Sequence, residues 1–104
     1  MNEILNLNDA HNVMFKRYEN ILENSIKVSF SIEEEVKEEL LKLCKIAQKE
    51  DMPLDKKARW LGYVQGILIF TNCINKNEER DFSRPLFTKF YEEKYQKSID
   101  IKNY

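Results

Sequence analysis

Lys56-Lys57-Ala58-Arg59-Trp60-Leu61-Gly62-Tyr63-Val64-Gln65-Gly66-Ile67-Leu68-Ile69-Phe70-Thr71-Asn72-Cys73-Ile74 is the stretch whose reading decides the fold. From Trp60 to Asn75 there is no charged residue, in a chain that is 34% charged. Both glycines of the protein lie here, at Gly62 and Gly66. If the segment is helical, Ala58, Gly62 and Gly66 fall at spacing four on one face. A glycine inside a helix costs about 1 kcal/mol against alanine. Two of them one turn apart imply that something approaches the backbone closely. That something is another helix, within the chain or across a dimer, or else a ligand. The remaining positions are apolar nearly all round, which predicts a buried central helix over about 55–75.

Working outward, Met52-Pro53 ends the helix before it, because the residue ahead of a proline is pushed out of helical geometry. Asp55 is then a cap for the central helix. Upstream, Asn8 or Asp9 can cap a first helix running to about Asn24, with Ala10, Val13, Met14, Tyr18, Ile21 and Leu22 on its apolar face. Ile26, Val28 and Phe30 alternate with polar residues, the pattern of a short strand. A lone strand has no partner in this chain. Residues 25–30 therefore read as an extended connector plugging the core, or as a strand pairing with its copy in a dimer. Ser31 and Glu34 have capping-box spacing, so another helix starts there. Ile32, Val36, Leu40, Leu43, Cys44 and Ala47 form its core face, and Glu38 and Lys42 form an i,i+4 pair.

Downstream, Asn75-Lys76-Asn77 is a polar turn in which Asn75 can take the left-handed closing conformation. Asn77 can cap a short helix through Asp81. Ser83-Arg84-Pro85 either kinks it or restarts it. Leu86, Phe87, Phe90, Tyr91 and Tyr95 carry the last helix. The expected fold is all-α, a compact bundle of four to five helices in a single domain spanning 1–104, with loose ends at 1–7 and 98–104.

The totals narrow the function classes. At 104 residues the core is small and oligomerisation would help it. With 17 basic and 18 acidic residues the net charge is −1, which argues against binding long nucleic acid. The uncharged run of 16 residues falls just short of the roughly 17–25 that a membrane span needs. Cys44 and Cys73 have no metal-type spacing and read as reduced thiols in a cytoplasmic protein. No glycine-rich phosphate loop, nucleophile–histidine set or metal grouping is present, so no enzyme, cofactor or metal is expected. His11, the only histidine, reads as a surface residue. Acid–base work would fall to carboxylates, of which Glu78, Glu79 and Asp81 lie near the polar turn in a setting that reads as solvated.

One feature breaks a local rule. Lys56, Lys57 and Arg59 occupy the first turns of the central helix, where the helix dipole disfavours positive charge. With Trp60 and Tyr63 as stacking surfaces, and Arg80 and Arg84 facing them from the next segment, they form a seat for a phosphate-bearing ligand. The alternative is solvated lysines, with Arg59 paired to an acidic helix. Ala58, Gly62, Gln65 and Gly66 form the candidate helix–helix interface, and Gln65, a buried amide, needs partners.

Arg59–Leu68 and Glu78–Phe87 together resemble a group of small uncharacterised proteins encoded by tailed bacteriophages. Those share an R-W-x-G-[FY]-x-Q-G-x-L core and a downstream E-x-R-D-x-x-R-P element. The resemblance covers about residues 56–91. It departs at Asn72-Cys73-Ile74-Asn75, where the group often has a glycine. It implies a phage accessory protein acting in the infected bacterial cell by binding. One expected activity is sequestration of a nucleotide signal. The other is inhibition of a host or immune enzyme through a helical oligomer surface.

Overall fold

The computed structural model describes Ile4 and residues 6–94, and the side chains among them up to Phe90. It is all-α. Among the described residues five helices follow one another: α1 (Leu7–Asn24), α2 (Ile26–Ser31), α3 (Glu34–Lys49), α4 (Leu54–Phe70) and α5 (Lys76–Lys94). The expected end at 98–104, and the side chains of Tyr91 and Tyr95, lie outside the described residues.

The helix ends show how short polar side chains set the boundaries. α1 is capped by Asn6, two residues ahead of the expected cap, whose side chain accepts the Asp9 amide at 2.9 Å. Helix thus begins inside the segment expected to be loose. Ser25 breaks out in extended geometry and its amide still closes onto the Ile21 carbonyl at 2.9 Å.

The chain then re-enters helix, so residues 25–30 are not the extended connector that alternation suggests. The physical reason is backbone hydrogen bonding. A strand here would leave its amides unpaired, whereas a turn of helix closes its own, as Ile32 N–H onto Val28 does at 2.9 Å. The cost is exposure. Only Val28 goes inside, while Ile26 and Phe30 are 70% and 84% exposed.

The capping box at Ser31 does not form either. Ser31 closes α2, Ile32 is extended and 8% exposed, and α3 starts from Glu33 without a side-chain cap. The ion pair on α3 joins Glu34 to Lys37 at 4.0 Å rather than Glu38 to Lys42.

α4 begins one residue before Asp55, from Pro53, whose carbonyl accepts the Lys57 amide at 3.0 Å. Its end is closed by Asn72, which has φ 62°, while Cys73 N–H reaches back to the Leu68 carbonyl at 2.9 Å. Asn72 therefore takes the left-handed role expected of Asn75. Asn75 instead caps α5, accepting the Asn77 and Glu78 amides at 2.9 and 3.0 Å. α5 runs unbroken through Pro85.

Side-chain contacts give the directions. Lys57 meets Asn8 and Asn12, and Gln65 meets Tyr18, so α4 lies parallel to α1. Glu79 meets Arg17 and Tyr18, and Phe87 meets His11, so α5 runs antiparallel. Gln48 to Glu19 and Lys45 to Glu23 set α3 antiparallel as well. α1 packs against α3, α4 and α5, and its Met14, Phe15, Tyr18 and Leu22 are buried to 1% or less. The centre of the bundle is therefore α1 and not the apolar stretch over 55–75. α4 buries one stripe, Lys57, Leu61, Val64 and Leu68, and leaves its other side open.

Candidate functional site

Three places could carry function: a polar seam beside α1, a cleft where α4 turns into α5, and the outer side of α4.

The seam is built from α1, α4 and α5. Arg17 donates through Nε to Glu79 Oε1 and Oε2 at 3.0 and 3.2 Å, and through Nη2 to Oε1 at 2.8 Å. Tyr18 donates its hydroxyl proton to Glu79 Oε2 at 3.0 Å and accepts from Gln65 Nε2 at 2.8 Å. The Arg17 guanidinium also lies 3.9 Å from the Phe82 ring centroid. Glu79 is 2% exposed, so the solvated setting expected for Glu78, Glu79 and Asp81 holds only for the first and last. Burial, and next the charge of Glu79, push the Tyr18 hydroxyl well above its ordinary pKa. Among the described residues, no buried side-chain nitrogen or oxygen of the seam lacks a partner. The seam locks α5 and α4 to α1.

Gln65 takes its partner in this seam. It faces inward and is not part of the open α4 surface with Ala58, Gly62 and Gly66. Lys57 is likewise turned in, 1% exposed, its Nζ donating to Asn8 Oδ1 at 2.6 Å and Asn12 Oδ1 at 2.9 Å. Burial lowers its pKa, partly offset by Asp51 and Asp9. The expected cationic seat therefore loses one of its three α4 members. Position 57 lies on the same stripe as Leu61, Val64 and Leu68, so the helix carries the lysine into the interior.

Lys56 and Arg59 stay exposed, with the Lys56 ammonium 5.4 Å from the Trp60 ring centroid. Trp60 itself is half-buried against the core, and Tyr63 is 49% exposed. Arg80 and Arg84 are exposed on α5. Among the described residues no hydrogen bond or ion pair joins their side chains to α4.

His11 is not the surface residue it reads as. It is 3% exposed, hydrogen-bonded from Nδ1 to the Leu7 carbonyl at 2.7 Å and edge-on to Phe87 at 5.0 Å. Burial lowers its pKa, the Leu7 bond opposes this, and Lys57 adds to the lowering. Its place on the α1 stripe, one residue after Ala10, was the available signal. The seam had one as well: Tyr18 on that stripe and Gln65 within an apolar run each need a polar partner.

The cleft, of about 610 Å³, lies between α1, α2 and the α4–α5 turn, lined by Arg17, Lys27, Ile69, Asn75, Lys76 and Glu79 among others. It sits thirteen residues along α4 from Lys56, about 20 Å at the helical rise. It is therefore a different place from the cationic start of α4. Asn75 already takes two α5 amides, and Glu78 and Glu79 offset the cations, so it makes a poor phosphate seat. Cys73 on its wall is buried and free, as is Cys44, whose thiol burial pushes up to about 12. Among the described residues, no group of histidine, cysteine and carboxylate side chains could hold a metal ion.

The outer side of α4 is the third place. Ala58, Arg59, Gly62, Tyr63, Gly66 and Phe70 are all exposed, Phe70 at 88%. A Cβ built at Gly62 or Gly66 would meet nothing within 4 Å. Among the described residues, nothing makes the close approach that the glycines imply. Among the described residues no helix is long and apolar enough to cross a membrane. Compared with protein-family models, curated proteins and solved structures, the chain finds no match.

Proposed function

We propose that this protein works by binding rather than by catalysis, and that the outer side of α4 is where it binds, docking a helix of another protein chain. One observation carries the reading. Gly62 and Gly66 face open space on a side of α4 that also exposes Tyr63 and Phe70. Two interior glycines cost about 2 kcal/mol of helix propensity that no contact among the described residues repays. Close approach of a partner backbone, with the aromatics as anchors, is the reward that fits. Together with the phage resemblance, this favours an accessory protein that inhibits a host or immune enzyme inside the infected cell through a helical oligomer surface.

The test is site-specific photo-cross-linking in bacterial cells, with the reactive side chain at position 66 or, as a control on α3, at position 38. Products are expected from 66 and not from 38, and they should disappear when Phe70→Glu is added. Equal yields from both positions would refute the reading.

Lys56 over Trp60, beside the exposed Arg59, favours a second reading, sequestration of a nucleotide signal. Phosphate would meet the two cations and the base would stack on the aromatic side chains. A nucleotide that binds must raise the thermal midpoint by mass action. Arg59→Ala should abolish that rise, and a panel of cyclic and linear nucleotides that produces none would sink this second reading.

A further inference from the structure

The outer side of α4 has a pattern that a two-fold axis reads. An axis at the level of Val64 exchanges Gly62 with Gly66 and Ala58 with Phe70. The largest exposed apolar side chain on the face thus meets the smallest, and the two bare backbone patches meet each other. We infer that the occupant of this face is a second copy of the same chain, with the two α4 helices antiparallel. This rests on the α4 docking reading above and names the partner.

Charge supports the antiparallel sense. Asp55, Arg59 and Lys76 are exposed, and none has an ion pair within the described residues. The same axis brings Arg59 to the level of Ile69, beside the partner's Phe70 ring, a cation over an aromatic face. It brings Asp55 to the level of Cys73, toward the turn that leads into Lys76. A parallel pair would instead set Arg59 against Arg59 and Phe70 against Phe70, with the helix dipoles aligned. An isologous two-fold contact is also the commonest way in which soluble chains assemble.

The scale of the contact follows from the helix. α4 is about 25 Å long and presents a face about 10 Å wide. At roughly 250 Å² a side this lies below the standard size for a specific interface, in the class of weak, transient contacts. The dimer therefore dissociates in the micromolar range rather than the nanomolar.

The experiment is sedimentation of the full chain over roughly 1 to 500 μM, bracketing that range, joined to cysteine cross-linking. A concentration-dependent dimer is expected, and Gly62→Leu should be monomeric at every concentration. Its helix content should not fall, because a Cβ at position 62 meets nothing among the described residues and leucine favours helix over glycine. Mixing Ala58→Cys with Phe70→Cys protein should give the mixed disulfide in excess of either like-with-like product. A wild-type chain that stays monomeric throughout overturns the second copy as occupant, while cross-links from position 66 to a different protein would leave the docking face standing. A dimer that survives Gly62→Leu, or like-with-like disulfides in excess, overturns the antiparallel pairing. Survival together with no cross-links from position 66 overturns both readings.

Discussion

α1 and α4 are near neighbours in length and lie parallel, yet their sequences and burial are mismatched. α1 carries Asp9, Lys16, Arg17, Glu19 and Glu23, and still it holds the centre of the bundle, with Phe15 and Tyr18 at 0% exposure. α4 is uncharged from Trp60 onward, and still it shows a full side to solvent. In α1 the apolar residues are confined to a stripe about as wide as its neighbours can cover. In α4 they exceed what the described residues cover. Apolarity beyond the needs of a protein's own core is the mark of a surface meant for something else.

The contrast can be broken most forcefully at its two phenylalanines. Phe15→Ala should cost about 3–5 kcal/mol of unfolding free energy in urea, the usual loss for a buried aromatic. Phe70→Ala should cost less than about 0.5 kcal/mol in dilute protein, as exposed positions do. Similar losses at both sites would erase the distinction between the helices.

Next in size is the seam that holds α4 and α5 to α1. Glu79→Ala strands the Arg17 guanidinium and the Tyr18 hydroxyl and should cost about 2–3 kcal/mol, less than a fully buried pair because the Arg17 side chain is 33% exposed. Tyr18→Phe, which leaves the Arg17–Glu79 pair whole, should cost less. If Glu79→Ala proves as mild as a surface substitution in thermal melts, the seam does not anchor α5.

On α4 the sign should reverse. Gly66→Ala, followed by chemical denaturation at low concentration, should stabilise the chain by up to about 1 kcal/mol through helix propensity alone. A loss would mean that the backbone there is already in contact with something in its own fold.

The smallest effect is a slope with pH. His11 is held neutral by burial, with a folded pKa below its ordinary 6.5. The unfolded chain therefore binds a proton first as pH falls. Stability is complete above that value and declines as pH drops from it toward the folded pKa. His11→Asn, which can keep the bond to the Leu7 carbonyl, should flatten this part of the thermal-midpoint profile. An unchanged slope would assign it to carboxylates instead.

Most of the fold was legible because helices announce themselves twice, in apolar spacing and in punctuation. The all-α bundle and the positions of α1, α3 and α4 follow from Met14/Tyr18/Leu22, Leu40/Cys44/Ala47 and Leu61/Val64/Leu68. What misled was any inference from composition to place. An uncharged helix looks central because composition does not show which of its sides the neighbouring helices cover. Ile26, Val28 and Phe30 alternate like a strand because a short surface helix has no hydrophobic period to enforce. Lys57, His11 and Glu79 read as surface groups because a single residue does not disclose its partners. Those partners, Asn8 and Asn12, Phe87, and Arg17 and Tyr18, lie far along the sequence. Of the candidate site, the shared face of Ala58, Gly62 and Gly66 was readable; its exposure, and the inward turn of Gln65, were not.

α5 carries a proline inside a continuous helix, and this divides its mechanics. Pro85 has no amide hydrogen to give the Asp81 carbonyl, so the hydrogen-bonded ladder is interrupted there while the covalent chain continues. On one side stands Glu79, clamped by Arg17 and Tyr18; on the other, Phe87 rests on the His11 ring. The helix thus continues past one missing rung, each half pinned to α1 by a different chemistry, ionic for the first and aromatic for the second. Such a helix is expected to open in parts and not as one unit. Its amides should exchange with solvent in two steps, the aromatic half leaving first and the ionic half only when the bundle itself gives way.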